Sequence, residues 1–151
     1  MPDANQAIEP ASGAGLYARL GGKLGVARIR SDRDLVALVE RRLPATAIQS
    51  LVRGGLSVAE VYQLVIPRRT LAHRVAGHES LSKEESDRAV RVARIAALAE
   101  QVFGESERAW RWLRKPKRRF DGKTPIETLA TEAGARLVEE MIAQIDDGLA
   151  A

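Results

Sequence analysis

The sequence contains no cysteine. Disulfide bonds, thiolate metal sites and a cysteine nucleophile are therefore all excluded. The chain also has no run approaching the roughly 20 consecutive apolar residues of a transmembrane helix. Its N-terminus does not combine a charged start with an apolar stretch, as a signal peptide does. We expect a cytoplasmic protein that is neither exported nor inserted in a membrane.

Aromatic residues are scarce as well, at 4% of 151 residues, although 45% of the chain is hydrophobic. A core with so few aromatic side chains consists mainly of alanine, leucine, valine and isoleucine, which favours packed helices. No alternation of apolar and polar residues predicts a strand. We therefore predict an all-α protein, with a mobile N-terminal segment over residues 1–30.

Helix-start signals recur along the chain. Three capping boxes are predicted, in which a hydroxyl residue precedes a glutamate by three positions: Ser57 with Glu60, Ser82 with Glu85, and Thr124 with Glu127. The second of them begins a long helix that ends at Gly104, and Gly134 is predicted to end the helix that begins at Pro125. The long helix has apolar residues on two sides, which indicates a position between two modules or at a subunit interface.

Residues 57–75 are predicted to form two short helices that meet at a tight turn near Pro67. The second helix carries side chains that suit the major groove of DNA, where arginine pairs with guanine and hydroxyls hold phosphates: Arg68, Arg69, Thr70, His73 and Arg74. Leu71 and Val75 are expected to face the core, and Val65 occupies the turn position where many such motifs carry glycine. The alternative is a solvated basic helix end that binds nothing.

A strongly basic segment lies further along the chain. Residues 108–123 hold eight basic side chains and one acidic one, whereas residues 124–151 hold six acids and one base. Both tryptophans, Trp110 and Trp112, lie in the basic segment, so charge and stacking are available for nucleic acid. A phosphate-rich or acidic partner is another possibility. Because the two tryptophans are two residues apart, we expect at least one to be packed in the core under arginine stems.

The sequence offers little for catalysis. His73 and His78 are five residues apart, whereas a helical zinc pair is spaced i, i+4. The adjacent acids at 139–140 and 146–147 splay around a helix instead of converging on a substrate. No glycine-rich loop follows a strand. We expect no enzyme activity, no cofactor and no metal.

Six ordered blocks of sequence resemble the Xre/MbcA/ParS antitoxins of bacterial toxin–antitoxin pairs. The resemblance covers roughly residues 35–151, and its blocks are IPRRTLAHR (66–74), LSKEESDRAVRVARIA (81–96), VFG (102–104), AWRWLRKP (109–116), GKTPIETLATEAG (122–134) and IAQIDDG (142–148). It implies an Xre-like helix-turn-helix module over residues 31–80, followed by a C-terminal helical toxin-binding domain over 81–151 that also dimerises. Lys117 stands where members often have asparagine.

The resemblance also implies partners and sites. The toxin is expected to be a RES-type or related ADP-ribosyltransferase-like protein that consumes NAD and whose active site the antitoxin occludes. The antitoxin is expected to repress its own operon as a homodimer within a larger complex, and the DNA-reading helix is 68–74. The residues expected to bind toxin are Trp110, Arg114, Lys117, Arg118, Arg119, Lys123, Asp146, Asp147 and Ala151. The alternatives are a stand-alone helix-turn-helix regulator without a toxin and a module that binds RNA or a small molecule in the basic loop.

Overall fold

The computed structural model describes residues 13–150, with side chains over 15–148, and in that range it contains helices and no strand. The predicted all-α class is confirmed. The helices are α1 (Gly13–Leu24), α2 (Asp32–Arg41), α3 (Ala47–Arg53), α4 (Val58–Leu64), α5 (Arg68–Ala76), α6 (Lys83–Phe103), α7 (Ser106–Leu113), α8 (Pro125–Thr128) and α9 (Glu132–Ala150), with a short 3-10 helix at Arg118–Phe120.

The long helix α6 lies at the centre of the fold. It packs against α1 and α2, which precede it in the chain, and against α7 and α9, which follow it. Ala89, Ala93 and Ala97 on α6 are fully buried, and their small side chains allow neighbouring helices to approach closely. The apolar residues on two sides of this helix are thus covered by both modules of the same chain.

The N-terminal segment differs from the expectation that residues 1–30 are mobile. That expectation is wrong for residues 13–24, which form α1 and bury Leu20 and Leu24 completely. Lys23 of α1 is also buried, and its Nζ lies 2.7 Å from Glu100 Oε1 of α6. The first turn of this helix contains no acidic residue, and the helix is stabilised by packing on α6 and α3. Residues 1–12 lie outside the described residues.

The helix ends follow the predicted signals with one exception. All three capping boxes are confirmed, and α6 ends at Gly104 in the left-handed conformation. Gly134 does not end a helix: α8 already stops at Thr128, and Gly134 lies inside the first turn of α9. A Cβ at Gly134 would overlap the carbonyl oxygen of Thr128. The glycine therefore allows α9 to begin directly against the end of α8.

Two features that bear on function, a membrane-spanning helix and a metal-binding cluster, are absent from the described part of the chain. Over residues 13–150, none of the helices has the length and apolarity required to cross a membrane. The same residues contain no group of three or more histidine and acidic side chains placed to hold a metal ion.

Candidate functional surfaces

Helices α4 and α5 form the predicted helix-turn-helix. The turn between them is held by Val65 and Ile66, both of which are buried in the core. Val65 has φ −116° and ψ −60°, an ordinary right-handed conformation. Since no residue of this turn has a positive φ, the turn has no need of the glycine that many such motifs carry.

The solvent face of α5 carries free cationic side chains. Arg68, Arg69 and His73 are exposed, and none of them makes a side-chain hydrogen bond or ion pair with another described residue. Thr70 is half-buried. Exposed guanidinium groups at the start of the second helix are the groups that read base edges in a helix-turn-helix protein. Of the five predicted DNA-binding residues, three are thus available to a partner.

Arg74 has a different environment from the other basic residues of α5. Its Nε and Nη2 donate to the two carboxylate oxygens of Glu85 at 3.0 and 3.2 Å, and its Nη1 donates to Glu79 Oε2 at 3.1 Å. Arg74 therefore ties the end of α5 to the start of α6. The expectation that Val75 faces the core is wrong, since Val75 is 57% exposed. The partly buried side of α5 instead carries Thr70 and, one turn later, Arg74.

Glu85 is a buried carboxylate with two functions. It accepts the backbone N–H of Ser82 at 2.8 Å in the capping box, in addition to the guanidinium of Arg74. Burial raises the pKa of the Glu85 carboxyl, but the hydrogen bonds from Arg74 and Ser82 outweigh burial and hold the pKa below its ordinary value. A carboxylate whose pKa is lowered by folding stabilises the folded state above the unfolded pKa, and this stabilisation is lost as the pH falls.

We expect the substitution E85Q to make stability less dependent on pH. At pH 7 the variant should lose about 1.5 to 3 kcal/mol of unfolding free energy, the usual contribution of hydrogen bonds to a charged group. The difference from wild type should shrink as the pH falls below the ordinary glutamate pKa of 4.5. Denaturant titrations at neutral and acidic pH measure both values, with E84Q at an exposed neighbouring position as the control. A deficit that stays constant with pH would contradict the assignment.

Trp110 of α7 is buried, at 6% exposure, in contact with the loop before α4. Gly55 of that loop has φ +120°, and a Cβ there would overlap the indole of Trp110. The guanidinium of Arg114 stacks 4.7 Å from the centre of the Trp110 ring and donates to the Gly55 carbonyl oxygen at 2.8 Å. The expectation that at least one tryptophan is packed in the core is therefore confirmed, and Trp110 joins the C-terminal module to the helix-turn-helix module.

Arg114 also forms a two-pronged ion pair with Glu60. Its Nη2 lies 2.7 Å from Glu60 Oε1 and its Nε 3.1 Å from Oε2. Glu60 at the same time accepts the backbone N–H of Ser57 in the capping box of α4. Burial raises the pKa of Glu60, while the bonds from Arg114 and Ser57 lower it more, so the net pKa is lowered. Arg114 is thus held by the helix-turn-helix module.

The basic loop, residues 114–123, is closed by its own backbone. Lys117 N–H donates to Lys123 O, and Gly122 N–H donates to Lys117 O, each at 3.0 Å. Phe120 is buried beneath the 3-10 helix and holds the loop on the core. A loop fixed in this way loses little conformational entropy when a partner binds.

The cations of the basic loop fall into two groups. Lys117 is half-buried with its Nζ 5.1 Å from the centre of the Trp112 ring, and burial, followed by the charge of Lys115, lowers its pKa. Arg119 donates to Gln144 Oε1 of α9 at 2.6 Å. The remaining cations are exposed and make no side-chain hydrogen bond or ion pair with a described residue: Lys115, Arg118 and Lys123.

The acidic end of α9 lies two residues beyond Gln144, the partner of Arg119. Asp146 and Asp147 are both exposed and form no ion pair with the described residues. The bond between Arg119 and Gln144 therefore brings the basic loop close to an acidic helix end. Ala151, which was also predicted to bind toxin, lies outside the described residues.

Sequence reasoning did not identify the acidic partners of these arginines. The capping-box spacing marks Glu60 and Glu85 as helix-start residues, but that spacing contains no sign of their second bonds. The partner of Glu60 is 54 residues away and that of Glu85 is 11 residues away.

Comparison with known proteins finds counterparts for both modules. Residues 34–94 match the family model described as the antitoxin Xre-like helix-turn-helix domain. Residues 98–148 match that of the antitoxin Xre/MbcA/ParS C-terminal toxin-binding domain. The two matches meet within α6, and they assign each surface to a known type of domain.

The chain is also similar to curated proteins over most of their length. The chain is 40% identical over 131 residues to a Pseudomonas putida protein named Antitoxin Xre, covering 87% of this chain and 82% of the relative. It is 27% identical over 122 residues to an Antitoxin Xre of Photorhabdus laumondii, covering 79% and 82%. It is 31% identical over 130 residues to a Sphingobium protein named Prs ADP-ribosylating antitoxin, covering 78% and 81%. The similarity therefore extends across both modules in a single chain.

Proposed function

Since this chain belongs to the antitoxin Xre family, we propose that it neutralises a cognate toxin in the cytoplasm by binding it directly and occluding its active site. The observation that carries the proposal is the rigid basic loop beside the acidic end of α9, which lies in the part of the chain that matches a toxin-binding domain. The chain itself acts by binding and is not an enzyme.

We propose a toxin of the RES or related ADP-ribosyltransferase-like type, which consumes NAD. The name of the Sphingobium relative refers to ADP-ribosylation, and this supports a toxin of that chemistry. A pocket that holds the phosphates of NAD is complementary to carboxylates, so Asp146 and Asp147 are suited to enter it. The exposed cations Arg118 and Lys123 would flank the contact, with Lys117 and Arg119 holding the loop and Trp110 and Arg114 supporting it from beneath.

We further propose that a homodimer of this chain represses its own operon through α5. A dimer presents two recognition helices related by two-fold symmetry, which matches a palindromic operator. The exposed Arg68, Arg69 and His73 support this proposal, because they are free to meet base edges and phosphates. Base reading by α5 and occlusion of the toxin by the end of α9 then use different modules of the same chain.

Co-expression with the neighbouring reading frame tests the toxin proposal. We expect the neighbour to stop growth and deplete cellular NAD when it is expressed alone, and this chain to restore both. If the neighbour is harmless and NAD is unchanged, the chain is a stand-alone helix-turn-helix regulator instead, and a search for its DNA targets replaces the search for a toxin.

Variants at the acidic end of α9 test in the same co-expression experiment whether this end binds the toxin. Truncation after Ile145 removes both exposed aspartates, and we expect it to abolish rescue while leaving the core unchanged. The double substitution D146N/D147N should reduce rescue, whereas E84Q/E140Q, which removes the same charge from exposed positions elsewhere, should not. Full rescue by the truncated chain would refute the role of this end, and the search for toxin contacts would move to the basic loop.

A further inference from the structure

The basic loop is fixed against the first turn of α4. Arg114, the first residue of the loop, binds both carboxylate oxygens of Glu60 and the carbonyl oxygen of Gly55. Trp110, one turn earlier, packs directly on Gly55. The position of the loop relative to the helix-turn-helix is therefore determined by short contacts and not by a flexible connection.

This position has a consequence for DNA binding. In a helix-turn-helix complex the second helix enters the major groove, while the first helix crosses the phosphate backbone beside it. Here α5 is the second helix and α4 the first. Because Arg114 is bonded to the first turn of α4, the start of the basic loop lies beside the helix that crosses this backbone.

The charge of the loop suits that environment. Its ten residues include six basic side chains and one acidic one, Asp121. Glu60, the acidic side chain that faces the loop from α4, is neutralised by Arg114. Glu127 of α8 accepts the backbone N–H of Thr124, and Glu107 of α7 pairs with Arg111. The surface offered to solvent by the loop is thus strongly positive.

We propose that Lys115, Arg118 and Lys123 bind phosphate oxygens of the duplex that α5 reads. Lysine and arginine contacts to phosphate add affinity and fix the orientation of the protein, but they carry no sequence information. The loop would then be a second DNA contact in addition to the recognition helix. This inference rests on the DNA-binding part of the proposed function. Arg118 and Lys123 are also part of the proposed toxin contact, so the test uses DNA in the absence of toxin.

The salt dependence of DNA binding tests the inference. The probe is a short fluorescent duplex of random sequence, and its affinity for the full chain is measured by anisotropy between about 50 and 200 mM salt. In the variant K115Q/R118Q/K123Q we expect the slope of log K against log salt to be smaller by roughly 0.9 for each phosphate contact that is lost. Preference among DNA sequences should stay as in wild type.

Two variants separate the possible results. R28Q/R30Q/R33Q removes the same charge from exposed arginines that have no ion pair with a described residue, and its slope should stay close to that of wild type. An equal decrease in both triple variants would overturn the inference in favour of a general charge effect. If R68Q/R69Q weakens binding but the loop variant equals wild type, the inference alone fails. If wild type does not bind duplex, the DNA-binding proposal fails with it, and toxin rescue is unaffected.

Discussion

The variant R68Q/R69Q is expected to lose operator binding almost completely while it keeps its fold and its ability to neutralise toxin. Both arginines lie in the first turn of α5 and are exposed. A bidentate arginine contact to guanine contributes about 1 to 3 kcal/mol of discrimination. Loss of both should cost about 2 to 6 kcal/mol, which corresponds to a roughly 30-fold to 20,000-fold weaker affinity. An electrophoretic or anisotropy titration on the operator fragment measures this effect.

Two controls make the result specific to the recognition helix. R28Q/R33Q removes the same charge outside α5 and should bind the operator with nearly unchanged affinity. Light scattering of each variant should give a mass near twice 16.5 kDa, which shows that the proposed dimer is intact. If R68Q/R69Q binds operator as well as wild type, the first turn of α5 is a solvated basic helix end and the contact with DNA lies elsewhere.

The helix starts of this chain could be predicted because their signals are local. A serine or threonine three residues before a glutamate satisfies two backbone N–H groups within one turn, whatever the remainder of the chain does. The boxes at Ser57, Ser82 and Thr124 accordingly appear as expected. Helix α1 has no comparable signal, and its stability comes from burying Leu20 and Leu24 on helices far along the chain. Packing of that kind is not encoded in any short pattern.

The basic residues of the candidate sites show the same contrast between local sequence signals and contacts made by the tertiary fold. In the sequence, Arg114 and Lys115 are neighbours of equal charge, and Arg74 follows His73 on a basic helix. In the structure, Arg114 and Arg74 each bind a capping-box glutamate on another helix, while Lys115 and His73 remain at the surface. Spacing predicts which segments are cationic. Which of their cations stay free depends on carboxylates brought to them by the tertiary fold.

Trp110 lies at the junction of the two modules, and W110A is expected to have the largest effect on stability. Removing a buried tryptophan side chain usually costs about 3 to 5 kcal/mol, a large part of the roughly 5 to 15 kcal/mol available to a whole domain. Its indole Nε1 has no hydrogen-bond partner among the described residues, so the loss arises from packing and from the stacked Arg114. Thermal and denaturant unfolding, followed by circular dichroism, measure the change.

The comparison with W112A decides whether Trp110 acts by holding the two modules together or by touching the toxin. Trp112 is half-buried, contacts Phe103 at a ring distance of 5.6 Å and has no contact with Gly55, so its loss should cost less stability. Because Trp110 holds α7 on the loop before α4, W110A should weaken operator binding and toxin neutralisation together. Should W110A instead unfold like wild type and lose only neutralisation, the indole would have to leave the core and touch the toxin directly. The burial of Trp110 against Gly55 makes the first outcome the expected one.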